Sequence, residues 1–345
     1  MSKVRKRGEQ IRQFILSNVE DHPRDIAALA AQEFGITRQA INKHIKRLVE
    51  QKALSFKGST NSRIYYLHPL IEWRQIYSLD TSLEEDIVWD SDIKPLLSDL
   101  PDNVKDIWLY GFTEMLNNAI DHSSGAKVFI QVKRTSLSTE IMIDDDGEGI
   151  FRKIQRSLEL NDERHAVLEL AKGKLTTDPD RHSGEGIFFT SRMFDQFAIL
   201  SGNVYFSHQF SKAEDWIFEN DSSQDGTSVF MELDNNTSRT SKQVFDSFSS
   251  GDDYAFNKTV VPVRLAQYGD ERLVSRSQAK RLLANVDKFK IVIFDFSEVE
   301  AIGQAFADEV FRVFKKQHPE IQIVDLNANE EVKKMLNRAG SFLGT

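Results

Sequence analysis

Between Thr113 and Gly186 three short motifs follow one another in a fixed order. The first is Glu114-Met115-Leu116-Asn117-Asn118-Ala119-Ile120-Asp121-His122, the second Asp145-Asp146-Gly147-Glu148-Gly149-Ile150, and the third Ser183-Gly184-Glu185-Gly186-Ile187. Glu114 and Asn118 are four residues apart, so on a helix they share one face. Apolar residues at Ile107, Phe112, Leu116 and Ile120 predict that helix over 104–123. Strands are expected over 127–132 and 140–143, the second running straight into Asp144-Asp145-Asp146. Glycine at 147 and 149 lets the backbone approach a flat ligand closely, since no Cβ stands in the way. Read singly, the helix pair is an ordinary polar face. The aspartate run is a turn or a calcium-type loop, although it lacks the alternating acids and closing glutamate of that loop. His122 and His182 have no second histidine at helical ligand spacing. His122 is read as closing the helix end or packing beside it.

The two ends of the chain differ in charge. Residues 1–63 hold 13 Lys/Arg and 6 Asp/Glu, a balance of +7, and the whole chain carries −9, which leaves −16 for the rest. A basic head on an acidic body points nucleic acid to the head alone. There, helices are predicted over 7–19, 26–34 and 37–51, with Asp25 and Thr37 as caps and Gly35 as a left-handed stop. The third helix carries Arg38, Gln39, Asn42, Lys43, Lys46 and Arg47 on its polar face. Such side chains bond base edges and phosphates. His44, on the same helix, is read as facing DNA or solvent. Two apolar runs, 53–56 and 63–67, flank a Gly/Asn/Ser loop and predict a hairpin, with Lys57 and Arg63 set to touch phosphate. A helix-turn-helix followed by a hairpin resembles a winged helix. That module binds duplex DNA and also serves as a protein dock.

At the other end, a stretch rich in Ser, Asn, Thr and Asp over 235–253 marks a boundary. Beyond it strands are expected over 257–265, 290–296 and 320–326, and helices over 275–286, 303–316 and 329–339. The apolar strand 290–296 reads as one buried in a mixed sheet. The run from Asp295 through Phe296-Ser297-Glu298-Val299-Glu300 and Gly303-Gln304-Ala305-Phe306 to Glu309 resembles STAS-like domains, relatives of anti-sigma-factor antagonists. Phosphorylatable antagonists carry a serine at the start of the helix after this strand. Here that position has no hydroxyl, and Ser297 is an imperfect substitute.

The central motifs carry the stronger resemblance. A helix with Glu-x-x-x-Asn-Ala, a strand ending Asp-x-Gly-x-Gly, a Gly-x-Gly loop and a later Gly226-Thr227 are together similar to the GHKL ATPase superfamily. Its members include the gyrase B subunit, MutL, histidine-kinase catalytic domains and anti-sigma-factor kinases. The resemblance covers about 90–235 and implies ATP and Mg²⁺. It implies Asn118 as the Mg²⁺ ligand, Glu114 as the group orienting or deprotonating water, and Asp145 as acceptor for the adenine amine. Gly147 and Gly149 would pack on the base, and Thr227 would lie near it. Gly184 and Gly186 would offer backbone amides to phosphate. Residues 152–183 would form a lid whose Lys172 and Lys174 reach the terminal phosphate. Two departures stand out: Glu185 sits between the glycines, and Asp146 replaces the usual asparagine.

The expected fold is therefore a multidomain α+β chain. It has a winged helix over 1–72, a GHKL α/β sandwich over 73–236 and a STAS-like α/β domain over 237–345. The expected function is an ATP-binding, DNA-binding transcriptional regulator. Alternatives are an anti-sigma-type serine/threonine kinase or an ATPase of a DNA-associated or defence complex. A histidine autokinase lacks a helix pair with an acceptor histidine. The expected partners are duplex DNA, a protein at the STAS-like domain and a second copy of the chain in a two-fold homodimer on DNA. The chain has no run of about 18 apolar residues and no apolar leader, so no membrane span is expected. It also has no cysteine, which excludes disulfides and thiolate chemistry and suits a cytoplasmic protein.

Overall fold

In the computed structural model, residues 3–59, 62–80, 82–175, 184–210, 214–249, 255–267 and 271–340 are described. The chain divides into two compact units. One holds Met1–Gln75 with Gln131–Ile141 and Glu232–Thr237, and the other holds Ile76–Ile130, Met142–Met231 and Ser238–Thr345.

The first unit opens with helices α1 (Lys3–Asn18), α2 (Ile26–Phe34) and α3 (Arg38–Glu50), then strands β1 (Leu54–Lys57) and β2 (Ile64–Leu67). Ile11, Ile15, Val19, Ile26, Ala30, Ile41, Ile45 and Leu48 form its core, closed by Leu54 and Leu67 of the antiparallel β1–β2 pair. Burying each such aliphatic side chain contributes about 1.5–3 kcal/mol. Gly35 ends α2 at φ 58°, ψ 41°, and Thr37 caps α3 by accepting the Ala40 N–H. Asp25 precedes α2 but makes no side-chain cap; its carboxylate lies 3.2 Å from His22 Nδ1 instead. Thr60 and Asn61 of the expected loop lie outside the described residues.

β3 (Ile71–Ser78) and α4 (Glu85–Val88) follow, and α4 continues through a π-helical and a 3₁₀ turn to Leu97. Then come α5 (Asp102–His122), β4 (Lys127–Arg134), β5 (Ser138–Asp145), α6 (Ile150–Ser157), α7 (Glu163–Lys172), α8 (Gly186–Met193), β6 (Gln196–Gln209) and β7 (Glu214–Asp234). The strands form one sheet in the order β3-β4-β5-β7-β6. In the second unit α6, α7 and α8 pack on β6, and α5 packs on α8. Val104, Ile107, Trp108, Phe112, Met115 and Leu116 are buried along α5. This amphipathic stripe fixes the helix rotation and leaves Glu114 and Asn118 half-buried.

The second unit ends with α9 (Ser241–Phe248), β8 (Lys258–Pro262), α10 (Arg276–Leu283), β9 (Ile291–Asp295), α11 (Gln304–Asp308), α12 (Lys315–Gln317), β10 (Gln322–Leu326) and α13 (Glu330–Gly340). A π-helical turn joins α11 to α12. The sheet expected to be mixed is parallel throughout, with β9 between β10 and β8 and Ile293 opposite both Val324 and Val260. Helical crossovers make it so, because a parallel neighbour must be reached from the opposite end. Phenylalanine rings tie this region to α8: the Phe188–Phe256, Phe189–Phe245 and Phe256–Phe289 centroids lie 4.6, 4.7 and 5.2 Å apart. Among the described residues no helix is long and apolar enough to cross a membrane.

Candidate functional site

Glu114, Asn118, Asp145, Gly184, Gly186 and Thr227 come from four separate stretches of sequence and line one cavity of about 270 Å³. Apolar walls from Ile143, Ile150, Ile199 and Val229 complete it. A concave, largely apolar pocket with a few convergent polar groups is the usual form of a small-molecule site.

The aspartate run separates into three roles. Asp146 Oδ1 accepts the backbone N–H groups of Ala126 (2.7 Å) and Lys127 (2.8 Å), tying the turn to the start of β4. Asp144 is half-buried beside the Ser228 hydroxyl, and burial raises its pKa. Asp145 faces the cavity and accepts the Gly147 N–H at 2.9 Å. Burial pushes its pKa up to about 6, against hydrogen bonds from Gly147 and Thr227, with repulsion from Asp146 added. Among the described residues no group of three or more His, Asp or Glu could hold a metal ion.

Glycines shape the rest of the wall. A Cβ on Gly147 would overlap the Ser123 carbonyl, and one on Gly186 would overlap the Glu114 carboxylate. Gly147 and Gly149, expected against the base, stand in the turn between β5 and α6 and are not among the residues that line the cavity. Thr227 Oγ1 accepts the Ile150 N–H at 3.0 Å and bonds Asp145, so one hydroxyl links β7, the glycine turn and the acid. Gly226 has φ 79°, and a Cβ there would overlap the Asp145 carbonyl. We expect Gly226→Ala to destabilise the chain by roughly 2–4 kcal/mol, from left-handed strain plus overpacking. The urea midpoint reads this, and an unchanged midpoint contradicts the tight approach.

Glu185, the acid between the two glycines, is half-buried. Burial raises its pKa while nearby Lys174 lowers it. Burial also raises the Tyr110 phenol, with Glu114 and Glu185 adding to the effect.

Lys172 and Lys174 are not at the cavity. The described part of the segment expected as a lid is two helices and a short turn; residues 176–183, with His182 and Ser183, lie outside the described residues. On α7 the positions 165, 169 and 172 fall on one face, and the helix buries that face. Lys172 is 1% exposed. Its ammonium donates to Glu169 Oε1 (2.7 Å), the Ala284 carbonyl (2.8 Å) and the Arg281 carbonyl (3.0 Å). Burial lowers the Lys172 pKa, and the Glu169 charge and hydrogen bond oppose that shift; three acceptors match the three protons of the charged form, which favours an ionised pair. Burial opposes the charge on Glu169, but His165 at 3.6 Å and bonds from Lys172 and Asn285 outweigh it and hold the carboxyl below its ordinary pKa. Asn285 Nδ2 donates to Glu169 Oε2 at 2.8 Å, and Thr259 Oγ1 donates to the Lys172 carbonyl at 2.6 Å. Lys174 donates to the Lys288 carbonyl at 3.1 Å and lies 4.9 Å over the Phe289 ring. Both lysines thus anchor the cavity wall, where Leu170 and Leu175 stand, to the C-terminal region.

Sequence reasoning missed Lys153. It lies on α6, lines the cavity, and its ammonium donates to the His122 carbonyl at 2.6 Å. Its one signal in sequence is a lysine a turn beyond Gly149.

In the first unit, Arg38, Gln39, Asn42, Lys43, Lys46 and Arg47 are all exposed on α3, opposite buried Ile41, Ile45 and Leu48. Lys57 and Arg63 are exposed at the hairpin and lie over the Tyr66 (5.6 Å) and Phe56 (4.3 Å) rings. His44 instead turns toward α1, near Gly8. Burial, then Arg12 and Arg47, lowers its pKa. Ser297 closes a turn: its hydroxyl donates to Asp295 Oδ1 (2.8 Å) and accepts from Asn327 Nδ2 (3.0 Å).

No curated protein matches the chain. Residues 278–333 match the family model of a STAS-like domain of unknown function (DUF4325). The matched span runs from α10 through β9 and β10 into α13, so this α+β chain carries a STAS-like domain at its C-terminal end.

Proposed function

We propose that the chain is an ATP-binding, DNA-binding transcriptional regulator of the GHKL type. In this reading the nucleotide state of the central pocket controls an N-terminal winged helix and the STAS-like domain. The observation that carries it is the convergence of Glu114, Asn118, Asp145, Gly184, Gly186 and Thr227 on one cavity. Those residues fit the ligand. A half-buried carboxylate at Asp145 suits an exocyclic amine, and Gly184 and Gly186 bring backbone to the cavity wall. The Asn118 amide suits Mg²⁺, a hard cation that usually takes one or two protein ligands and completes its shell with phosphates and water. Mg²⁺ would neutralise phosphate charge when bound. Glu114, one turn from Asn118, is the carboxylate placed to orient or deprotonate water. The Glu169–Lys172 network supports a route from the cavity wall at Leu170 to the STAS-like domain.

The exposed basic face of α3 supports duplex DNA as the partner of the first unit, with a two-fold pair of chains presenting two such helices. A protein partner is assigned to the STAS-like domain. Full-length chain is expected to bind duplex DNA with an affinity that falls steeply with salt. Replacing Lys43 and Lys46 with alanine should flatten the log–log slope by about 2, one per lost phosphate contact. Fluorescence anisotropy across a salt series reads the slope. Salt-independent binding, or none, removes DNA and leaves a protein dock. Radiolabel from the γ-phosphate retained on a protein hydroxyl would move the enzyme reading to a kinase.

A further inference from the structure

The cavity is short of positive charge for the ligand proposed for it. Glu114 and Asp145 both line it, and the two lysines expected to meet phosphate are engaged elsewhere. Among the described residues lining the cavity, Lys153 is the single lysine or arginine. Its Nζ is fixed 2.6 Å from the carbonyl of His122, the last residue of α5. His122 lies four residues, about one helical turn, after Asn118. The ammonium sits at the helix end whose dipole favours a cation, and Lys153 and Asn118 both line the cavity. One of its three protons is used by the carbonyl, and an ammonium has two more to offer.

Granting the nucleotide reading, we infer that Lys153 is the phosphate-binding residue of this pocket, held by the His122 carbonyl so that its remaining protons meet the phosphate chain. The competing role is a purely structural one, a lysine capping the last carbonyls of α5. The two differ in which part of the ligand they affect. A cap supports the whole pocket, whereas a phosphate contact is blind to the nucleoside.

The test is calorimetric titration of full-length native chain, Lys153→Met and Lys153→Arg with adenosine, ADP and ATP, each with Mg²⁺, beside a urea midpoint for each protein. The native chain should bind ATP more tightly than adenosine. Lys153→Met should weaken ATP and ADP by about 10- to 100-fold, as expected for loss of a charge-assisted hydrogen bond. Adenosine affinity should stay within about twofold of native, which also reports that the pocket is folded. Lys153→Arg, keeping the charge, should recover most of the loss. Equal weakening of adenosine and ATP, or ATP affinity unchanged in Lys153→Met, overturns the inference and leaves a helix cap. If the native chain binds neither adenosine nor ATP, the nucleotide reading itself fails and the inference with it.

Discussion

Lys172→Met is expected to destabilise the chain by about 3–5 kcal/mol, the usual result of leaving a buried charge without its partner. Glu169 and Lys172 are each 1% exposed. Methionine fills a similar volume but leaves Glu169 with only His165 and Asn285, and it leaves the Arg281 and Ala284 carbonyls without their donor. A double variant, Lys172→Met with Glu169→Leu, should recover part of the loss, since an apolar pair replaces the ions well. The unpaired carbonyls keep the recovery incomplete. The urea midpoint of the full chain reads both variants; a midpoint within error of native for the single variant would contradict an ionised, buried pair. The pH dependence has a definite sign. The Glu169 carboxyl is held below its ordinary 4.5, so its contribution is in place above that pH and is lost as pH falls through the lowered value. Because Leu170 lines the cavity between these two residues, the single variant should also weaken any ligand there.

Asp145→Asn is expected to raise stability and remove binding at once. Burial lifts the carboxyl from 3.8 to about 6. An acid whose folded pKa is raised is most compatible with the fold below its unfolded pKa and becomes costly as pH rises through the folded one. At pH 7.5 the cost is therefore present in full, on the order of 2–3 kcal/mol. Asparagine keeps an acceptor for the Gly147 N–H and removes the charge, so the variant should melt higher than native at pH 7.5 and no higher near pH 4. The same change puts an NH₂ where a carboxylate oxygen would accept the base amine. ATP affinity should drop roughly 30- to 100-fold. Thermal melts at the two pH values and a nucleotide titration check both halves. A variant that binds ATP like native would remove Asp145 from base recognition, and one that melts lower at pH 7.5 would show that its charge stabilises the fold.

Local signals made much of the fold legible. The α2 and α3 spans follow from periodicity, the Gly35 stop and the Thr37 cap, all encoded within a few residues. The α5 helix and its Glu114/Asn118 face follow from a strong apolar stripe. Glycine spacing marked Gly147, Gly184, Gly186 and Gly226, where a Cβ would overlap neighbouring atoms, because a missing side chain is visible in sequence whatever surrounds it. What stayed hidden depends on distant partners. β3 has five exposed positions in eight, and as the edge of its sheet it shows little apolar alternation. Lys172 read as part of a lid reaching phosphate, but the partners of Glu169 and Lys172 at 281–285 lie more than 100 residues away. With the Arg281 and Ala284 carbonyls so distant in sequence, Lys172 looked available for phosphate. Lys153 was overlooked for the converse reason: only the end of α5, brought beside α6 by the fold, fixes its ammonium.

ATP is the ligand proposed for the cavity lined from α5, β5 and β7. The most direct measurement is equilibrium binding of γ-labelled ATP with Mg²⁺ to the full-length chain, with adenosine as competitor. Saturable binding of one ATP per chain, displaced by adenosine, is the predicted result. No saturable binding at millimolar ATP would contradict it and leave the cavity without its proposed ligand.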